Sequence, residues 1–196
     1  MLRRALPSAC ACCSKRLFAA AALIKAGWHV DVYERTDVEL SGRGAGIVTH
    51  DALIKALRAV GANLTDLGVQ VHDRVAFHKN GGRVATLPFA QVVTSWDRIH
   101  QILRRLIPEG SYHLRARITG YTQTADNVTA LLNDGTTRTA DLLVGADGFR
   151  SAIRAQMLPD VVPQYAGYVV WRALAHERDI PQDVHAKVFE HFSFFM

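Results

Sequence analysis

Residues 17–35 read LFAAAALIKAGWHVDVYER. Leu17–Ala26 is rich in Ala and Leu and predicts a helix, and Gly27 follows where a helix C-cap accepts a left-handed residue. Trp28–Glu34 predicts a short strand with Trp28, Val30 and Val32 on one face. Helix, glycine and a strand that closes on an acid form the second half of a βαβ unit. In a dinucleotide-binding fold, the acid at the end of the second strand bonds the ribose hydroxyls of the adenosine half. Glu34 holds that position.

The same alternation of elements continues outward. Ser41–Val48 reads as a loop holding Gly42, Gly44 and Gly46, and Thr49 is placed to cap a helix with Leu53, Ile54, Leu57 and Val60 on its apolar side. Val69–His78 and Arg83–Phe89 predict a hairpin around Asn80-Gly81-Gly82. Ser95 caps a helix carrying Ile99, Leu103, Leu106 and Ile107, which Pro108 ends. Arg115–Thr124 and Val128–Leu132 pair, and Asn133-Asp134-Gly135 turns into a third strand. Asp141–Ala146 reads as a buried strand running into Asp147-Gly148, with a helix from about Ser151. Gly167–Leu174 and Val184–Phe194 are expected as strands of a new sheet, and apolar Phe192–Met196 needs a partner or cover. The expected fold class is α/β: a Rossmann-like domain with inserted β elements over 1–160, then the start of a mainly β substrate domain over 161–196.

Composition narrows the function classes. The chain has 196 residues, 23 Lys+Arg against 18 Asp+Glu, and 49% hydrophobic residues, which is globular rather than disordered. Its +5 charge is local: Arg3, Arg4, Lys15, Arg16 and Lys25 all precede Asp31, the first acid. With those five set aside, the remainder carries 18 of each sign, which argues against a general nucleic-acid-binding face. The apolar run Leu17–Ile24 is too short to span a bilayer. Cysteines occur only at Cys10, Cys12 and Cys13, too crowded for a disulfide framework, so the body reads as cytoplasmic. The nine histidines show no ligand spacing, and no metal site is expected.

Two further segments carry chemistry. The strand DLLVGADGFR, residues 141–150, delivers Gly145, Asp147 and Gly148, where backbone can approach a phosphate closely. The helix SWDRIHQILRRL, residues 95–106, places Arg98 in its first turn, where a guanidinium can reach a pyrophosphate bidentately. The order YER, GRGAGIV, SWDRIHQIL, LLVGADGFRSAIR and then YAGYVVWRAL resembles the single-component FAD-dependent aromatic hydroxylases, in particular their 2,6-dihydroxypyridine 3-monooxygenase-like branch. That resemblance covers Leu17 to the C-terminus. It implies FAD as cofactor, NAD(P)H as reductant, and a small aromatic or N-heteroaromatic substrate. It implies a cofactor site formed by Glu34, Arg35, Arg43, Gly44, Ala45, Gly46, Ile47, Arg98, Gly145, Asp147 and Gly148. In it Glu34 would hold the adenosine ribose, Arg98 the phosphate or ribityl region, and Asp147 the pyrophosphate, with Gly44–Ile47 beside the flavin. A homodimer is compatible with it; nucleic-acid and membrane partners are not expected. No side chain reads as a general base.

The sequence departs from that family at its start. The family opens with strand, G-x-G-x-x-G and helix. Here the glycine positions fall near Ala11, Cys13 and Arg16, and no glycine precedes Gly27. Ala5–Ala11, with Pro7 inside it, reads as a poor central strand. Arg16 is expected at the tight helix–strand contact, where with Lys15 it could attract phosphate by charge without restoring the backbone cradle. The chain also lacks the Gly-Asp pair of the family's later segment. These departures lead to the expectation that residues 1–16 are an aberrant start and that the chain is a fragment of the hydroxylase. The alternatives are a non-catalytic remnant without stable flavin, another flavin oxidoreductase of the same fold, or a protein with a basic targeting tail.

Overall fold

The computed structural model describes residues 4–9, 13–38, 46–170, 174–189 and 191–195. It is a mixed α/β structure with three sheets. The first sheet is parallel. Its central strand is β1 (Arg4–Ala9), followed by α1 (Cys13–Lys25) and by β2 (His29–Val30) and β3 (Val32–Tyr33). β7 (Tyr112–His113) extends the sheet beyond β3, and β11 (Leu142–Ala146) lies on the opposite side of β1.

Residues 4–9 therefore form a central strand, against the sequence expectation. The reason is local. Pro7 costs only the hydrogen bond its own nitrogen would donate. On the β11 side the register runs unbroken from Ala5↔Leu142 to Ala9↔Ala146. On the other side pairing covers Arg4, Ala5 and Ser8 but omits Leu6 and Pro7, next to the Asp31 break between β2 and β3. α1 also begins four residues before the predicted Leu17.

The inner face of α1 holds Leu17, Ala20 and Ala21, buried at helical spacing. Leu17 and Ala20 pack into a core with Val30, Val32, Leu57, Leu67, Ile99, Ile102, Leu103 and Ile107. The last four come from or directly follow α3 (Trp96–Arg104), which starts where Ser95 Oγ accepts from Arg98 N at 3.0 Å. α2 (Asp51–Ala59) contributes Leu57. Its cap is His50, whose Nδ1 accepts from Leu53 N at 3.2 Å. Thr49, the predicted cap, instead donates its hydroxyl to Val92 O at 2.9 Å. A side chain committed to the neighbouring strand cannot also turn back onto the helix.

The second sheet runs, in order, β12 (Phe192–Phe195), β5 (Val69–Phe77), β6 (Arg83–Ser95) and β4 (Gly46–Val48). β5 and β6 form the expected hairpin, but β6 continues past Phe89 to the α3 cap. β4 pairs with β6, so the end of the predicted glycine loop is strand. Gly68 sits where a Cβ would lie 2.1 Å from Val93 O, a close approach only glycine permits. The third sheet is β10 (Thr137–Ala140), β9 (Val128–Leu132) and β8 (Ile118–Gln123), all antiparallel. Its inner residues join Tyr33 and Ile153 in a second core.

Two C-terminal expectations are corrected. Residues 167–170 are irregular and exposed rather than strand, and Gly167 takes a left-handed φ of 88°. Residues 184–188 belong to a helix, α5 (Gln182–Val188), which Pro181 opens. A proline there is preset for a helix start and offers nothing to a strand ladder. Only Phe192–Phe195 is strand (β12), and it pairs in parallel with β5 rather than founding a new sheet.

Candidate functional site

β1 leads through α1 to β2 and β3 on one side, whereas β11 occupies the other side. The chain order thus changes direction between β1 and β11. In open parallel sheets, ligands bind beyond the carboxyl ends of the strands at such a switch point. A cleft of about 650 Å³ lies there, lined by Lys15 and Ala19 of α1, by Val144, Gly145 and Gly148 after and within β11, and by Arg154. Among the described residues, two cations and no acid line it, so its potential favours an anion.

The floor of the cleft is fixed by α4 (Ala152–Met157). Asp147 is buried, and its Oδ2 accepts from Ala152 N at 2.7 Å and from Ile153 N at 3.3 Å. Its other oxygen accepts from the Ser151 hydroxyl. Ser151 Oγ in turn accepts from Arg154 N at 2.8 Å. The carboxylate thus satisfies the orphan donors of a helix start. Arg154 donates to Gly148 O at 3.3 Å and to Phe149 O, which holds the turn closed. Gly148 needs its lack of a side chain because φ is 81°. At Gly145 a Cβ would meet Ile153 Cγ2 at 2.9 Å, so glycine there lets α4 pack against β11.

Glu34 lies at the end of β3 and is fully buried. Its Oε1 accepts from Thr36 N at 3.0 Å, and its Oε2 is 2.7 Å from Arg16 Nη1. Arg16 is also fully buried. Its Nη1 donates to Tyr33 O at 3.3 Å and its Nη2 to the Tyr112 hydroxyl at 2.9 Å. The guanidinium lies 5.3 Å from the Tyr112 ring centroid, and Arg104 approaches the same ring at 4.6 Å. Arg16 is therefore at the helix–strand contact, as its position predicts, but it has found a buried counter-charge there. Sequence reading foresaw the crowding and missed the pairing. The available signal was that Arg16 sits one turn into α1, on the same face as Leu17 and Ala20, while Glu34 ends the strand below.

The remaining predicted residues are scattered. Arg98 ion-pairs with Asp66, donates to the Asp66 carbonyl, and reaches Gln101 Oε1 at 3.4 Å. Neither Arg98 nor Glu34 lines the cleft. Arg35 is exposed, Gly46 lies at the exposed start of β4, and Ile47 packs against the main core. Arg43, Gly44 and Ala45 lie outside the described residues, as do Cys10 and Cys12. The structure thus brings Gly145 and Gly148 together above Asp147, beside Lys15, the cation expected to attract phosphate, and Arg154, which the sequence reading did not single out. Among the described residues, no helix is long and apolar enough to cross a membrane.

No family model matches the chain. Individual proteins do. It is 36% identical over 169 residues to 2,6-dihydroxypyridine 3-monooxygenase of Paenarthrobacter nicotinovorans, which covers 86% of this chain and 42% of that protein. The solved structure of 2,6-dihydroxypyridine-3-hydroxylase from Arthrobacter nicotinovorans matches all of this chain and 49% of its own, with a TM-score of 0.83 and 32% identity. Klebsiella pneumoniae HpxO, solved with FAD and uric acid, shares the fold at a TM-score of 0.66 and 22% identity, over 79% of this chain and 41% of its own. The chain spans less than half the length of these relatives. Sequence and structure together show that it belongs to the FAD-dependent aromatic-ring monooxygenase family.

Proposed function

We propose that this chain is the Rossmann-like, dinucleotide-binding portion of a monooxygenase that hydroxylates an aromatic or N-heteroaromatic ring with FAD and NAD(P)H. The observation that carries the reading is the basic cleft beside β11, walled by α1 and by the turn that Asp147 holds, at the point where the strand order reverses. Bound FAD would supply the oxygen-transfer chemistry and NAD(P)H the reducing equivalents. The residues of the chain would hold and orient the cofactor. Gly145 and Gly148 would leave room beside β11, Asp147 would keep the turn in place, and Lys15 and Arg154 would draw phosphate charge. The 1–160 and 161–196 division, a small aromatic substrate and a homodimer belong to the same reading.

At the adenosine end, the residues present do not fit FAD. Glu34 directly follows β3, and both of its oxygens are engaged, one by the Thr36 N–H and the other by the buried Arg16 guanidinium. That observation favours a second reading: the same descent without stable flavin and without turnover. The two readings separate in one experiment. The protein is incubated with FAD, NADH or NADPH, ¹⁸O₂ and hydroxylated pyridines, and ring products are weighed by mass spectrometry. Incorporation of ¹⁸O into the ring supports the monooxygenase. Nucleotide oxidation without ring oxygenation indicates another flavin oxidoreductase, and neither outcome leaves the non-catalytic reading.

A further inference from the structure

The Arg16–Glu34 pair has the form of a ligand contact made by the chain itself. A dinucleotide fold keeps the helix start small so that backbone can come close, and it uses the strand-end acid for ribose hydroxyls. Here one side chain fills both places. Arg16 occupies the helix–strand contact, and its planar guanidinium ion-pairs with Glu34 Oε2 and donates to Tyr33 O and to the Tyr112 hydroxyl. Its Nε is buried without an acceptor among the described residues. With both Arg16 and Glu34 at 0% exposure, a ribose can reach the carboxylate only after the guanidinium has left.

We infer that Arg16 is a built-in occupant of the adenosine-ribose subsite, so that a dinucleotide and the Arg16–Glu34 pair exclude one another. The inference rests on the reading of Glu34 as the ribose-binding acid. The pair also gives the fold a reason to close without cofactor, because the carboxylate's charge is already answered.

The test compares the full chain with its Arg16→Gly and Arg16→Gln variants, each checked for folding by circular dichroism. FAD binding is read from flavin fluorescence quenching. ADP-ribose, which carries the adenosine end without the flavin ring, is read from the rise in melting temperature. The expected result is at least about tenfold tighter binding of both ligands by a folded variant, equivalent to about 1.4 kcal/mol. For the unaltered chain, ADP-ribose should leave hydrogen exchange over residues 13–36 unchanged, a readout that does not depend on any variant folding. The inference is overturned if the unaltered chain binds as tightly as the variants, if a folded variant gains nothing, or if ADP-ribose protects residues 13–36 of the unaltered chain. Tight binding by the unaltered chain would strengthen the flavoenzyme reading while removing this one. A gain in the variants without ring oxygenation would sink the monooxygenase reading and leave this one standing.

Discussion

Single residues decide how closely neighbouring segments can approach. Gly68, Gly145 and Gly148 are each glycine for a different reason: backbone against backbone at Val93, helix against strand at Ile153, and a left-handed turn. Gly68→Ala should destabilise by at least the 1–3 kcal/mol usual for overpacking, since the atom it would strike is a strand carbonyl and not a flexible side chain. Urea unfolding checks it; a loss under about half a kcal/mol would mean the approach is looser than described. Asp147→Ala removes the acceptor of two backbone donors and should cost about 1–2 kcal/mol. Because Asp147 also holds the Ser151 hydroxyl, Asp147→Ala and Ser151→Ala should be less than additive. Asp147 was picked out in the sequence as a phosphate organiser, whereas its visible work is to cap α4. Both follow from a short acid before a glycine turn, and sequence alone does not separate them.

Elements were legible where local signals agreed. α3 carries a Ser N-cap, an apolar face and a stopping proline, and it appears at its predicted place. Ser95→Ala should cost about 1 kcal/mol, read by thermal unfolding, with the loss confined to α3 and the end of β6 in hydrogen exchange. The Asn133-Asp134-Gly135 turn was equally clear, and Gly135 adopts φ 83° there. In that turn the Asp134 carboxyl is held below its usual range, chiefly by the Thr136 hydroxyl and then by the Thr136 N–H. The contribution is therefore complete at neutral pH and is lost as pH falls through the lowered value. Thr136→Ala should move the Asp134 titration upward in a carboxyl-detected NMR experiment; an unmoved titration would contradict the assignment. Legibility failed where tertiary contacts outvoted the local pattern. Thr49 looked like a cap until its hydroxyl was claimed by Val92, and residues 184–188 looked like strand although Pro181 presets a helix. Pro7 was read as a strand breaker, but its one missing donor falls where the ladder skips.

At the scale of the whole molecule, the α/β class, the second half of the βαβ unit and the family were all visible in the order of motifs. The pairing at the base of α1 was not, because Arg16 and Glu34 are brought together only when the helix packs on the sheet. The first core, built from α1, α2, α3 and the parallel strands, includes Leu17 next to Arg16, and Tyr112, to which Arg16 donates, packs against it. Breaking a buried ion pair by removing one partner typically costs 3–5 kcal/mol, whereas replacing both partners with neutral groups can cost little. A double-mutant cycle on Arg16→Met and Glu34→Gln, measured by denaturant unfolding of the full chain, therefore tests the central claim most directly. The account predicts that each single variant loses about 3–5 kcal/mol and that the double variant is more stable than either. Single losses that are small, or that simply add in the double variant, would show that Arg16 does not hold Glu34 in the folded protein.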